Sequence, residues 1–178
     1  MASKINLKNI ILLKAGKGYD LAEGKTGLEK SDYLFLQRFL DSTKSNLFFA
    51  KGIIMVEGDA ENILFPVIAD ILGCSLEKYG VSIVNVGSTA FLRYSRILVC
   101  QDGSTIGVPV SVITDCDVRP YDIVIQGDGR KVKVFSTKDR ECEQKVADKK
   151  TKYTIGSIQA FISPRWTLEY CIALSCPR

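Results

Sequence analysis

Apolar positions in this chain fall into short, nearly continuous runs separated by stretches with helical spacing. The run at residues 52–56 (GIIMV) predicts a strand buried on both faces. Residues 59–72 then place Ile63, Leu64, Val67, Ile68 and Ile71 on one expected inner side of a helix, with Pro66 as a kink and Gly73 as its terminator. A strand at 81–86 (VSIVNV), a turn at Gly87 and Ser88, a helix at 91–99 and a strand at 108–114 (VPVSVIT) follow. This alternation, with Val/Ile-rich strands, predicts an α/β fold built on a parallel sheet covered on both faces. Upstream, Ser31 is expected to cap a helix reaching about Thr43, with Tyr33, Leu36 and Leu40 at helical spacing and Phe35 and Phe39 beside them. Downstream, residues 123–125 and 132–135 flank Gly127-Asp128-Gly129 and predict a β-hairpin. A charged helix at 136–150, a fourth core strand at 158–162 and a last helix at 167–174 complete the pattern.

The stretch before the first predicted helix (AGKGYDLAEGKTG) ends in Gly24-Lys25-Thr26, like a phosphate loop. That motif requires a glycine at position 19, where Tyr19 stands, and it should sit between an apolar strand and an apolar helix. The segment is therefore read as a surface loop or hairpin.

Composition narrows the chemistry. The 178 residues contain no histidine, which excludes Ser-His-Asp and Cys-His catalysis, histidine-bearing zinc sites and any imidazole base. The six cysteines form no CxxC pair, so reduced thiols are expected and a zinc site is not. No apolar run approaches the roughly 20 residues of a membrane span, and residues 1–13 do not form an export signal. A cytoplasmic location without membrane contact is the expectation. The net charge of +4 hides an asymmetry. Residues 51–121 carry five basic against eight acidic groups, whereas 1–50 carry eight against five and 122–178 eleven against seven. An acidic middle between basic ends suits either a metal site beside a phosphate-binding surface or ordinary solvated faces.

The acids are placed where chemistry in a parallel sheet gathers, at the carboxyl ends of strands. The first strand runs into Glu57-Gly58-Asp59-Ala60-Glu61, the third into Asp115-Cys116-Asp117, and the fourth is followed by Arg165-Trp166-Thr167-Leu168-Glu169. Glu57 and Glu61 are four apart and can share a helical face. Clustered carboxylates raise each other's pKa unless a cation neutralises them, and oxygen-only ligands favour Mg2+, Mn2+ or Ca2+ over zinc. The bland reading makes Asp59 a helix cap, Asp117 a turn residue and Glu61 a solvated side chain.

The ordered set resembles a TOPRIM domain: Glu57-Gly58 after the first strand, Asn85-Val86-Gly87 after the second, and Asp115-x-Asp117 after the third. The fuller wording at 46–61 (NLFFAKGIIMVEGDAE), 84–88 (VNVGS), 112–120 (VITDCDVRP) and 166–170 (WTLEY), with 32–43 (DYLFLQRFLDST) before it, resembles the OLD (overcoming lysogenization defect) ATP-dependent endonucleases over roughly residues 31–174. The resemblance implies a Rossmann-like parallel sheet with a small hairpin and helical insertion after the third strand. It implies a DNA endonuclease using two Mg2+ or Mn2+ ions, with Ca2+ as a possible inert occupant. Carried over by motif, Glu57, Asp115 and Asp117 are catalytic, and Glu57, Glu61, Asp115, Asp117 and Glu169 are metal ligands. Lys131, Lys133 and Arg165 are candidate DNA contacts.

Such nucleases carry an ATPase domain that binds ATP, and a basic residue important for catalysis downstream of the WTLEY region. Residues 1–48 are thus expected to be a lead-in from an ATPase portion, with Met1-Ala2-Ser3 as a start. Residues 49–178 are expected to be the TOPRIM catalytic domain, shortened at its C-terminus. DNA, the ATPase domain and a second copy in a full-length homodimer are the implied partners, and activity is implied for the assembled protein rather than for one domain alone. Three other readings stay open. VITDCDVRP also resembles haloacid-dehalogenase-type phosphatases, with Asp115 as nucleophile and Asp117 as acid/base. Another TOPRIM enzyme, a topoisomerase or primase, shares the motif. A non-catalytic DNA-binding module would use Lys131, Lys133, Lys138, Arg140, Lys145, Lys149, Lys150 and Lys152 on phosphates, if these are not simply one solvated helix face.

Overall fold

The computed structural model describes residues 6–39, 44–87 and 90–175. Residues 40–43, Ser88 and Cys176 therefore lie outside the described residues. The chain divides into two compact units, Met1–Ile113 with Tyr153–Gln159, and Thr114–Lys152 with Ala160–Arg178.

The first unit opens with an antiparallel hairpin, β1 (Ile11–Lys14) and β2 (Lys17–Asp20). Ala15 and Gly16 form its turn at φ 49° and 75°, as the tight hairpins that match strand twist require. Thr26, buried in the loop that follows, shares a hydrogen bond with the Tyr33 hydroxyl (3.2 Å) and accepts one from Leu28 N (3.2 Å). Its hydroxyl ties the loop to Tyr33, so this threonine is a buried structural residue where a surface loop was expected.

Helix α1 (Lys30–Phe39) begins one residue before Ser31, and the reversed contact at its start comes from Asp32. The Asp32 carboxylate accepts from Glu29 N at 3.1 Å and meets Arg93 and Arg96 at 3.5 and 3.0 Å. Ser31 lies inside the helix, and the Asp32 carboxylate, accepting from Glu29 N, secures its first turn.

Strand β3 (Gly52–Val56) lies as predicted, with four of its five residues buried, because it is an interior strand of the sheet. It leads into α2 (Asp59–Ile71), the short α3 (Leu76–Tyr79) and β4 (Val81–Asn85), an edge strand. α4 (Phe91–Ser95) continues as a 3-10 turn through Leu98, then β5 (Val110–Thr114) follows. β3 pairs in parallel with β4 on one side and β5 on the other. Leu36, Met55, Val56, Phe91, Tyr94, Ile97 and Val112 are fully buried around them.

α2 departs from its expected orientation. Ile63, Val67 and Ile71 are exposed at 71%, 54% and 79%, while Glu61 is buried and Leu64, Phe65 and Ile68 are half-buried. The helix is rotated so that the covered side starts from Glu61, whose carboxylate lies against the Gly58 backbone instead of in solvent. Pro66 is accommodated inside α2 as one continuous element.

The second unit contains the antiparallel hairpin β6 (Tyr121–Ile125) and β7 (Lys131–Phe135), and most of α5 (Asp139–Tyr153). β8 (Ile158–Ile162) and α6 (Leu168–Ser175) follow. The main sheet has the order β4-β3-β5-β8, with β8 ending beside β5 where Ser163 N donates to Thr114 O at 3.0 Å. A four-stranded parallel sheet with a hairpin and helix inserted after its third strand is the expected α/β architecture. A small core of Cys116, Val118 and Cys142, packed by Val146 and Ile162, holds the second unit. Among the described residues no helix is long and apolar enough to cross a membrane.

Candidate active site

Three sheet strands run into acids, and each acid owes its placement to local structure. β3 ends at Glu57-Gly58, and Gly58 is the extended N-cap residue of α2 at φ −138°. A Cβ added at Gly58 would stand 3.1 Å from Glu61 Oε2, so the missing side chain makes room for the Glu61 carboxylate at the start of the helix. A carboxylate in the first helical turn is also favoured by the exposed N–H groups there. Asp59 is the first helical residue, not the cap, and its carboxylate accepts from Asn85 Nδ2 at 2.7 Å. Asn85 Oδ1 in turn accepts from Gly87 N at 2.8 Å. The turn after β4 is thereby tied to the start of α2.

The second acidic group is built more tightly. Asp115 Oδ1 accepts from Leu168 N at 2.8 Å and from Ser163 Oγ at 3.2 Å. It therefore serves the exposed amide at the start of α6 while remaining only partly buried. Ser163 Oγ also accepts from Cys116 N at 3.0 Å and lies 3.0 Å from Arg165 O. Asp117 adopts the left-handed conformation at φ 65°, which Asp tolerates better than most residues, and its N–H donates to Trp166 O at 2.8 Å. Its carboxylate is exposed but engaged: Lys149 Nζ donates to Asp117 Oδ2 at 2.5 Å and to Asp115 O at 2.6 Å. Glu169, the acid of the first turn of α6, is exposed and follows the residue whose amide Asp115 binds.

The basic candidates divide. Lys131 and Lys133 are exposed on the β6–β7 hairpin, with Lys133 Nζ 4.7 Å from the centre of the Tyr121 ring. Arg165 is paired with Asp139 at 2.5 Å, and that neighbouring carboxylate raises the guanidinium pKa further. Trp166 packs edge-on between Tyr121 and Tyr170, at 5.8 Å from each ring, which is a packing role. A cleft of about 280 Å³ opens beside these residues, lined among others by Val118, Cys142, Arg165, Trp166 and Tyr170.

Residues 48–117, which span β3 through Asp117, match the family of the overcoming lysogenization defect protein-like TOPRIM domain. Over this segment the chain is similar to an OLD-like TOPRIM domain. Endonuclease GajA of Bacillus cereus (strain HuB5-5) is 27% identical over 122 residues, covering 68% of this chain. The chain spans 17% of the length of that relative. Two solved structures are also similar, the C-terminal regions of the OLD proteins of Xanthomonas campestris pv. campestris and Burkholderia pseudomallei. They are 34% and 39% identical, each with a TM-score of 0.36. The likeness covers 39% and 41% of this chain, and 32% and 36% of theirs.

The TOPRIM segment holds Glu57, Glu61, Asp115 and Asp117, whereas Glu169 and Lys149 lie beyond it. All five acids offer hard oxygen donors, the chemistry that Mg2+ and Mn2+ select. Among the described residues no three His, Cys, Asp or Glu side chains form a ready-made metal cage. Mg2+ is commonly held by one or two carboxylates, with water and substrate phosphate completing its shell, so it does not require such a cage.

Two participants escaped the sequence reading. Ser163 carried no signal, since a lone serine after a strand is common. Lys149 was grouped with a solvated basic run, yet it is only 9% exposed. Its signal was present: Cys142, Val146, Lys149 and Tyr153 recur at helical spacing and form the covered stripe of α5.

Cys116, between the two aspartates, is buried, and burial pushes its thiol pKa up. Since the thiolate is the reactive form, Cys116 should resist alkylation at neutral pH while exposed Cys74 reacts readily. Mass spectrometry after brief iodoacetamide treatment checks this. Equal labelling of both in the folded chain would contradict the packing of the Asp115–Asp117 turn.

Proposed function

We propose that the chain supplies the nuclease domain of an OLD-type, ATP-linked DNA endonuclease, with residues 49–178 as the catalytic part and residues 1–48 leading in from an ATPase portion. The observation that carries this reading is the OLD-like TOPRIM segment, in which neighbouring parallel strands β3 and β5 both run out into acids. The relative named as an endonuclease supports the same direction.

Glu57 and Glu61 at the start of α2, Asp115 and Asp117 after β5, and Glu169 in α6 would supply oxygen ligands to two divalent ions, with Mg2+ or Mn2+ matching these donors. When bound, such ions supply Lewis-acid activation of water and neutralise charge at a leaving 3′ oxygen. Glu57 is the group proposed to take the proton of the attacking water, a task that falls to a carboxylate in a chain with no histidine. Leu168 N and Ser163 Oγ fix the direction of the Asp115 carboxylate, and Lys149 holds that of Asp117. The test is nicking of supercoiled plasmid with Mg2+ or Mn2+ by the assembled parent protein, comparing the native sequence with Asp117→Asn. Unchanged nicking would overturn the proposal. Hydrolysis of small phosphate esters without action on DNA would favour the phosphatase reading.

The β6–β7 hairpin is proposed to track DNA phosphates through Lys131 and Lys133. Replacing both by glutamine is expected to weaken DNA binding at low salt and to reduce the slope of log affinity against log salt by about 2. Fluorescence anisotropy across a salt series measures this. An unchanged slope would remove the hairpin from the DNA interface.

A further inference from the structure

We propose that Lys149 is a resident counter-cation of the Asp115–Asp117 turn, which a divalent ion displaces when it binds. The inference rests on the metal-site reading of that turn and concerns what occupies the turn when no metal is bound.

Lys149 is a charged residue on the covered stripe of α5, between Val146 and Tyr153. A buried ammonium is costly unless paired, so the oxygens around it decide whether the position is tolerable. Those oxygens are Asp117 Oδ2 at 2.5 Å and the main-chain Asp115 O at 2.6 Å. A hard cation drawn to Asp117 would compete with the ammonium for the same carboxylate.

Asp115 Oδ1 accepts from Leu168 N and Ser163 Oγ, which orient the carboxylate. Asp117 is paired with the Lys149 ammonium. Two carboxylates two residues apart repel when both are ionised, and Lys149 relieves that repulsion in the metal-free turn. A divalent ion drawn to Asp115 and Asp117 carries twice the charge of the ammonium and repels it at this range. The lysine head stands on a flexible four-carbon stem and can withdraw, whereas the turn and the α6 amide are fixed by backbone hydrogen bonds. Metal binding and the position of Lys149 are then linked, each opposing the other by the same factor.

The test uses the 178-residue chain and Mn2+ alone, followed by titration calorimetry. Lys149→Met keeps the length of the side chain and removes its charge, and is expected to tighten Mn2+ binding on the order of tenfold. A second measurement needs no variant. Reductive methylation of Lys149 in the native chain, read by mass spectrometry, should be slow without Mn2+ and rise saturably as Mn2+ is added. Unchanged or weaker Mn2+ binding by Lys149→Met, or labelling of Lys149 that does not rise with Mn2+, would overturn the proposal and leave the metal site standing. If the native chain takes up no more Mn2+ than Asp117→Asn, the metal reading of the turn fails and this inference fails with it.

Discussion

Asp117→Asn is expected to lower Mn2+-dependent nicking of supercoiled plasmid by the assembled protein by roughly 10²–10⁴-fold, the loss typical of removing a positioned catalytic group, with a modest fall in melting temperature as Lys149 loses its counter-charge. The choice of residue and replacement follows from the turn. Asp117 sits at φ 65°, a region that Asn visits about as readily as Asp and that alanine does not. An alanine would add backbone strain to the loss of charge, so a dead variant would say little about chemistry. Asparagine keeps the shape, keeps the Asp117 N–H to Trp166 O bond, and leaves an amide oxygen for Lys149. Asp115 is a poorer probe. Its Oδ1 accepts both the Leu168 amide and the Ser163 hydroxyl, so even Asp115→Asn perturbs the start of α6. Loss of a helix-capping acceptor costs about 0.5–2 kcal/mol, which would mix stability with activity. A melting temperature only modestly below that of the native protein together with abolished nicking is the decisive combination for Asp117→Asn.

How much of this could be read from the sequence depended on whether a position was decided locally. β3 and β8 were found at their true bounds, because Val/Ile/Met-rich runs flanked by a glycine or serine leave few alternatives to a buried strand. The β6–β7 hairpin was announced by Gly127-Asp128-Gly129, a local turn signal. The acids at the strand ends followed from the topology alone. What was lost was orientation. The apolar stripe of α2 named its own inner face, yet only Leu64 and Ile68 of it are half-buried, and the buried residue is Glu61. Nothing in the spacing of Ile63, Val67 and Ile71 encodes this. Lys149 was misread for the opposite reason: residue type outweighed position. A lysine on a helical stripe with Cys142, Val146 and Tyr153 is buried by its neighbours, and its charge is then answered by Asp117, 32 residues away in sequence. Such pairings belong to tertiary structure and leave no local trace.

The rotation of α2 yields the second large effect, through a contrast between two apolar positions. Phe91→Ala is expected to destabilise the chain by about 3–5 kcal/mol, the range for removing a buried phenylalanine. Phe91 has no exposed surface and stacks edge-on against Tyr153 at 5.3 Å, so truncation removes core contacts and an aromatic pair together. In a chain of this size each kcal/mol lowers the melting temperature by roughly 2–4 °C, giving a fall on the order of 10 °C. Ile71→Ala should behave oppositely. Ile71 is 79% exposed near the end of α2, and exposed substitutions stay within about 0.5 kcal/mol. Alanine is moreover the better helix former, which offsets what little contact is lost. Calorimetry of both variants reads the difference directly. A fall for Ile71→Ala comparable to that for Phe91→Ala would mean that the Ile63–Val67–Ile71 stripe is covered in solution, and that α2 faces inward as its spacing first suggested.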